Sequence, residues 1–440
     1  MKSIDKLEKV MHSELCNRCG SCVGLSGGKI VFRDREGKYL PERVGDIDDS
    51  LAERMWAACS GKEFNFPEYR NHFYNDAPNV HEYTGAYRNI YIGHANDNEI
   101  RRNAASGGII SAIVIYLLEN KKIDGVVTLR MSHKKPWLSE PFIATSREEV
   151  LEAAQSKYTI SSVNEILPEI ERFDGKLAYV GIPPQVQSIR KLQKINDPSV
   201  RNIKYIFGPF YGNTLYFSSI KSFLRSYKEK DYTKIKKLYF RYGEWPGSMR
   251  IELDSGKTIE LKKFHANYLN PFHVLKNSLY CTDFTNEYTD ISGGDAWAPV
   301  YEERGKGFSM IIARSKNGQE IIDEMVRSGA LYVDPLSEEE AIKMHSHGYD
   351  FKKRGSFIRI KFRKLAGKQV PDYGYKLSGF GGSRYFMEML ISFLFMILRT
   401  GFARWAVKQL PPGVVGAFFE KARTFWKKST HKVKRKNLTE

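Results

Sequence analysis

Apolar and polar positions along this chain alternate with the period of a strand in several short stretches, separated by longer apolar segments of helical length. Residues 87–93 alternate, a small-residue stretch from Arg101 to Gly108 follows, and residues 109–118 form an almost unbroken apolar run. Residues 123–129 then read as a buried strand. The order strand, helix, strand predicts an α/β sheet. A helix over 148–155, a strand over 176–181, a basic helix over 186–194 and a strand over 202–207 continue the theme. Residues 236–261 alternate around Trp245-Pro246-Gly247 and Asp254-Ser255-Gly256-Lys257, which predicts antiparallel hairpins and an α+β layer. A last strand over 308–314 and a helix over 319–328 close the pattern. Nearer the start, residues 29–33 and 39–41 read as a hairpin and 50–58 as a helix, and 63–83 has a linker's lack of periodicity. The expected division is 1–84, 85–375 and 376–440.

The last of these parts differs in kind. Residues 385–398 are nearly all apolar, but Glu388 interrupts them and Arg399 and Arg404 bound them, leaving a run shorter than the ~20 residues of a membrane-spanning helix. Beyond Pro411-Pro412-Gly413, residues 414–426 interleave Phe418, Phe419, Phe425 and Trp426 with Lys421 and Arg423, and Lys427, Lys428, Lys432, Lys434, Arg435 and Lys436 follow. An amphipathic, aromatic and basic end suits the interface of an anionic membrane, where each basic residue is worth about 1 kcal/mol. The plainer alternative is a helical hairpin packed on the body, with a solvated end.

Composition sharpens this. With 440 residues, 42% of them hydrophobic, the chain can build two or three domains. The net charge of +18 asks for an anionic partner. No recognisable nucleic-acid module accompanies the charge, so nucleic acid is set aside in favour of an anionic membrane surface or an acidic protein or cofactor. Residues 1–11 lack a signal's apolar core, and the cysteines do not read as a disulfide framework. The expected location is cytoplasmic, peripheral on the inner face of the cell membrane.

Three of the five cysteines, Cys16, Cys19 and Cys22, are spaced by two residues each. Such a loop can aim three thiolates at one cubane iron–sulfur cluster, with the remaining ligand supplied from elsewhere. The next position of a ferredoxin run is Ser26, so Cys59 is preferred as the fourth ligand over Cys281, because a small N-terminal module then closes on itself. A four-cysteine zinc site is the alternative, although structural zinc usually joins two separated pairs.

Two further stretches invite a ligand. Ser106-Gly107-Gly108 lets backbone approach closely at a helix start, where free N–H groups favour an anion; a packing turn with Ser106 as N-cap explains the same residues. Asp283, and Asp290 to Trp297 with Gly293, Gly294 and Asp295, form a second candidate, either a ligand loop or a system of Asx turns. Asp283, Asp295, His265 and Tyr158 are candidate proton donors.

In order, Cys16-Asn17-Arg18-Cys19-Gly20-Ser21-Cys22, Glu36 to Pro41, Cys59-Ser60-Gly61, Ala105-Ser106-Gly107-Gly108, Gly181-Ile182-Pro183-Pro184-Gln185, and Cys281-Thr282-Asp283-Phe284 with Asp290 to Trp297 resemble the coenzyme F-420 hydrogenase and dehydrogenase beta-subunit family. The resemblance spans about 15–332. It implies a ferredoxin-like iron–sulfur module, a mixed-sheet flavin-binding domain and FAD, with Ser106, Gly107, Gly108, Asp283, Asp290, Gly294 and Asp295 about the flavin. The implied donor is ferredoxin or a deazaflavin. Family members often carry cysteines where this chain has Pro184 and Tyr211, so one 4Fe-4S cluster on Cys16, Cys19, Cys22 and Cys59 is expected, with Cys281 left alone. A branch of the family resembles proteins of surface-polysaccharide assembly. The competing reading is a non-enzymatic membrane-surface adaptor with a structural four-cysteine metal site.

Overall fold

A computed structural model of the chain describes residues 1–35, 37–297, 301 and 306–429. At its centre is an eight-stranded mixed sheet. In chain order its strands are β1 (Asn89–Ala95), β2 (Gly125–Met131), β3 (Ser139–Ala144), β4 (Leu177–Val180), β5 (Ile203–Pro209), β6 (Ile291–Asp295), β7 (Ser309–Ala313) and β8 (Leu331–Pro335). Their spatial order is β8-β1-β7-β6-β5-β4-β2-β3. The neighbours β2, β4, β5 and β6 run parallel. Strand β7 is antiparallel to both β6 and β1, while β3 and β8 run antiparallel at the two edges. The carboxyl ends of β1, β2, β4, β5 and β6 therefore open on one side, where α/β sheets hold ligands.

Alternate side chains divide between two cores. Val126, Ala178, Phe207, Ile291 and Ile311 pack against helices Ile109–Glu119 and Lys316–Arg327. Val127, Tyr179 and Ile206 face the other way, against helix Pro183–Lys194 and the N-terminal module. That module comprises helices Ser3–His12, Ser21–Leu25, Asp49–Ala58 and Phe66–Phe73 with the hairpin Ile30–Arg33/Leu40–Arg43. It shares one continuous apolar core with the sheet, through Leu7, Met55, Phe64, Val186 and Ile189. The stretch read as a linker holds a helix begun by Asn65, whose side chain accepts from Glu68 N, with Pro67 in its first turn.

The expected hairpins form a three-stranded antiparallel sheet over Ile235–Tyr242, Ser248–Leu253 and Thr258–Lys262. Its core takes in Val407, with Val415 and Phe419 packed against it, so the tail is docked on this layer. The tail consists of helices Gly382–Leu398, Gly401–Val407 and Pro412–Ser429. Lys432, Lys434, Arg435 and Lys436 of its basic end lie outside the described residues, as does Glu36.

Candidate functional site

The four cysteines expected to act together line one small cavity, with Arg18, Met11, Met55 and Phe32 completing its wall. The loop reaches this shape through left-handed backbone at Arg18, φ 59°, and Gly20, φ 97°. The buried Arg18 guanidinium ties the loop to the hairpin, donating to Lys38 O at 3.0 Å, Tyr39 O at 3.2 Å and Cys16 O. Asn17 accepts from Cys19 N at 3.1 Å and donates to Ser60 Oγ at 2.8 Å, joining the loop to the turn that carries Cys59. Cys59 itself ends helix Asp49–Ala58. Burial pushes all four thiols above their ordinary value, Cys22 furthest, where crowding by the other three adds to it. Thiolates here need compensating positive charge, as bound metal supplies. The lining holds no carboxylate or imidazole among the described residues, so the donor set is sulfur alone, which fits an iron–sulfur group. Among the described residues, no three His, Cys, Asp or Glu side chains draw together closely enough to hold a metal ion. Lys191, its ammonium lowered to about 8 by burial, donates to Cys59 O at 3.1 Å.

Cys281 lies apart and buried, its thiol 3.7 Å from Asp283 O. Tyr211 stands near it, with its hydroxyl bonded to Ser278 and the Lys352 ammonium 4.1 Å from its ring centre.

A second site opens at the strand ends, as two chambers of about 340 and 390 Å³ that share Thr128, Gln155, Ser156, Tyr158, Val180 and Phe210. The larger chamber is lined by Ser106, Gly108, Gly294 and Asp295 of the predicted residues. Gly107 lies just behind, where a Cβ would meet Gly93 O at 2.6 Å. The helix over 109–119 starts from Gly108, φ 79°, with no side-chain cap. Ser106 is not its cap; it shares a 2.6 Å hydrogen bond with Ser309 Oγ, which also accepts from Gly107 N. The uncapped N–H groups of this helix give the chamber an anion-favouring end. Arg101 turns to Gly307 O instead of the chamber.

Asp295 is held by Trp245 Nε1 at 3.0 Å and by Arg241 Nη1 at 3.3 Å. Arg241 also donates to the Tyr158 hydroxyl at 3.1 Å. Burial alone would raise the Tyr158 phenol, but the charges of Lys263, 4.5 Å from its ring centre, and Arg241 outweigh it and hold it below its usual value. His345, kept neutral by burial that lowers it to about 4, lines the larger chamber, and its Nε2 has no hydrogen-bond partner among the described residues. Asn213 Oδ1, on the wall of the smaller chamber, is likewise unpaired there. Lys157, lowered to about 7 by burial, folds back onto the carbonyls of residues 153–155.

Other predicted residues are elsewhere. Asp283 is fully buried in a polar network, accepting from Glu287 N at 3.1 Å and from Gln187 at 3.4 Å. Asp290 precedes β6 at the end away from the cavity, where it accepts from Ile206 N and Ser315 Oγ. Both are structural Asx anchors of the kind that turns favour. His265 pairs with Glu420 at 3.2 Å, beneath the tail. Sequence reasoning missed Arg241, Trp245, Lys263 and His345. Trp245-Pro246-Gly247 was visible only as a turn, and nothing local marks the other three.

The arrangement is an α/β domain with a ligand cavity at its strand ends and a sulfur-lined cavity beside it. The chain belongs to the coenzyme F420 hydrogenase/dehydrogenase beta-subunit family, a family of oxidoreductases: the model of its N-terminal part matches residues 90–168 and that of its C-terminal part residues 174–339. It is similar to the coenzyme F420 hydrogenase subunit beta of Methanococcus voltae, 32% identical over 252 residues, 56% of this chain and 84% of that protein. The corresponding subunit of Methanosarcina barkeri is 29% identical over 262 residues, 58% of this chain and 84% of that one. A chain of the F420-reducing [NiFe] hydrogenase complex from Methanosarcina barkeri shares the fold, with a TM-score of 0.53 at 23% identity, covering 66% of this chain and 98% of that chain.

Proposed function

We propose that this chain is an iron–sulfur flavoprotein oxidoreductase, taking electrons from ferredoxin or reduced coenzyme F420 through one 4Fe-4S cluster to FAD. Cys16, Cys19, Cys22 and Cys59 are its cluster ligands, and the larger strand-end chamber is its flavin site, with Ser106, Gly107, Gly108, Gly294 and Asp295 around it. Its substrate belongs to surface-polysaccharide or lipid-linked glycan assembly. When bound, a flavin supplies hydride or paired-electron chemistry and a cluster supplies single electrons.

The observation that carries this reading is that the two candidate sites share a wall. Cys19 O accepts from Asn164 N at 3.0 Å, and Asn164 Nδ2 donates to Gln185 O at 3.3 Å. Ser60, next to Cys59, donates to Pro184 O at 2.7 Å. Gln185 lines the smaller chamber. A single helix start thus separates the thiols from the smaller chamber, which shares Thr128, Tyr158, Val180 and Phe210 with the larger one.

The residues have distinct tasks in it. The glycines admit a planar group and its phosphates to the backbone, and the uncapped helix start receives the phosphate charge. His345 Nε2 and Asn213 Oδ1 offer polar atoms to a ligand. Tyr158, on the wall of both chambers, stands ready to give a proton to a reduced substrate, with Arg241 and Lys263 keeping its phenol acidic.

Protein purified without oxygen is expected to contain about four irons per chain together with FAD, giving flavin bands and an iron shoulder that dithionite bleaches. Colourless protein with a zinc on the four thiols would replace this reading with the non-enzymatic adaptor. Rapid-mixing reduction by ferredoxin and by reduced coenzyme F420, each alone, identifies the donor.

A further inference from the structure

The helix Gly382–Leu398 is inside out. Its two charged side chains, Arg384 and Glu388, are fully buried against the body, where Arg384 pairs with Asp350 at 2.9 Å and with Glu388 at 2.8 Å, and Glu388 pairs with Arg359. The opposite face carries Phe386, Met389, Leu390, Phe393, Leu394 and Ile397, spaced by helical turns and all exposed; Phe386 and Phe393 are 56% and 55% open. Exposed apolar side chains recur along the tail, at Phe402 and Trp405 of Gly401–Val407 and at Val414 and Phe418 of Pro412–Ser429. An apolar face of this extent marks a contact surface.

Charge identifies the occupant. Arg399, Arg404, Lys408, Lys421 and Lys428 lie in these helices or directly after them, and the acidic residues of the stretch 382–429 are the buried Glu388 and Glu420, the partner of His265. A second copy docked face to face would set these cations against each other, in a chain whose net charge is +18. Anionic headgroups around an acyl layer match both features. The geometry also says how the surface is used. No single helix among the described residues is long and apolar enough to cross a bilayer; Gly382–Leu398 and Gly401–Val407 reach that length and composition only as a pair, and they meet at a 74° bend. With Arg384 and Glu388 fastened to the body, a face of the first helix is available and the whole helix is not.

We propose that residues 382–429 dock the protein on an anionic lipid bilayer, laying this apolar face in the interface without crossing it. The inference stands independently of the redox reading. It does bear on access to the cavity. Helix Pro412–Ser429 packs on Lys263–Ala266 through Glu420 and the close approach of Gly416 to His265, and Arg404 donates to Phe272 O at 2.8 Å. Lys263, Ala266, Asn267 and Asn270 of this same segment line the smaller chamber. The docked tail thus backs one wall of the cavity and brings that wall to the bilayer surface, the place of a lipid-anchored substrate.

The test is flotation of the purified full chain with vesicles of phosphatidylcholine alone or mixed with phosphatidylglycerol. The protein is expected to float with the mixed vesicles, to be displaced by salt, and to be released by alkaline carbonate. Substituting Phe386→Ser, Phe393→Ser and Phe418→Ser together is expected to weaken binding roughly tenfold or more while leaving the far-ultraviolet spectrum and melting temperature unchanged. A second variant, Lys421→Glu with Lys428→Glu, is expected to lose binding to anionic vesicles specifically. Failure of the parent to float overturns the proposal. So does resistance to carbonate, which would mean a spanning segment, or a lipid-free dimer that the triple variant dissolves, which would mean a second copy covers the face.

Discussion

Asp283 carries a pH dependence of its own. Burial, and then the neighbouring Glu287, raise its carboxyl to about 7 against the opposing pull of Lys353 and Arg314. The folded chain keeps this proton up to about pH 7, whereas the unfolded chain gives it up near the ordinary value of 3.8. Between the two the folded state holds more protons, so the stabilising contribution is complete below the ordinary value and is lost as pH rises toward 7. Asp283→Asn retains an oxygen to accept from Glu287 N and has no proton to lose. Its melting temperature is expected to fall less than the parent's as pH rises from 4 to 7; an unchanged slope would assign the effect to another group. Tyr158→Phe addresses the cavity itself. The variant is expected to bind flavin as the parent does and to lose one phenol ionisation below the ordinary tyrosine value in a tyrosinate difference titration. These two residues show what the sequence withholds. Asp283 and Tyr158 were both candidate proton donors, and no local pattern separates a carboxyl sealed beside Glu287 from a phenol held between two cations across the cavity.

At the scale of elements, Gly20 joins the cysteine loop to the body. A Cβ there would lie 2.7 Å from Glu165 N and 2.9 Å from Ser162 O, and its φ of 97° disfavours a side chain. Gly27, at φ 61° with nothing within 4 Å, shares the strain without the clash. Gly20→Ala is therefore expected to cost about 1–3 kcal/mol and to lower bound iron, whereas Gly27→Ala costs about 1 kcal/mol and leaves iron unchanged; urea midpoints and iron per chain decide. The pattern of alternation located β1, β2, β4, β5, β7 and the antiparallel layer, because each has enough apolar residues facing a core. It missed β3 and β8, which lie at the two sheet edges and carry Pro141 and Pro335, residues that weaken a segment's reading as a strand. It read β6 as a loop. That strand is Ile-Ser-Gly-Gly-Asp, and a Cβ on Gly294 would enter the Phe210 ring. Spacing in the cysteine run and the small residues before residue 109 were legible because their chemistry is local. The walls contributed by Lys263 and His345, and Arg241 bonded behind Tyr158 and Asp295, were not, because they come from other layers.

At the scale of the whole molecule, the charges buried between body and tail decide whether the chain behaves as one unit. Arg359, Asp350, Arg384 and Glu388 are all buried, and they join helix Gly355–Leu365 and the turn before it to helix Gly382–Leu398. Arg354, also buried, adds a third guanidinium 4.0 Å from Asp350. Arg384→Met removes the cation that pairs with both carboxylates of this buried cluster, which is expected to cost about 3–5 kcal/mol. The loss is expected to be local at first. The segment between residues 366 and 381 should become open to proteases while the sheet and the cysteine module keep their fold. Replacing Arg354 together with the other four by apolar residues of similar volume is expected to restore most of the stability, since burying the set is itself expensive. Urea unfolding and limited proteolysis of both variants give the answer. A cost below about 1 kcal/mol for Arg384→Met, of the size of an exposed pair, would mean that apolar packing alone fixes the tail. The predicted cost instead makes the ion pairs the fastening that holds the exposed Phe386 and Phe393 face rigid and outward.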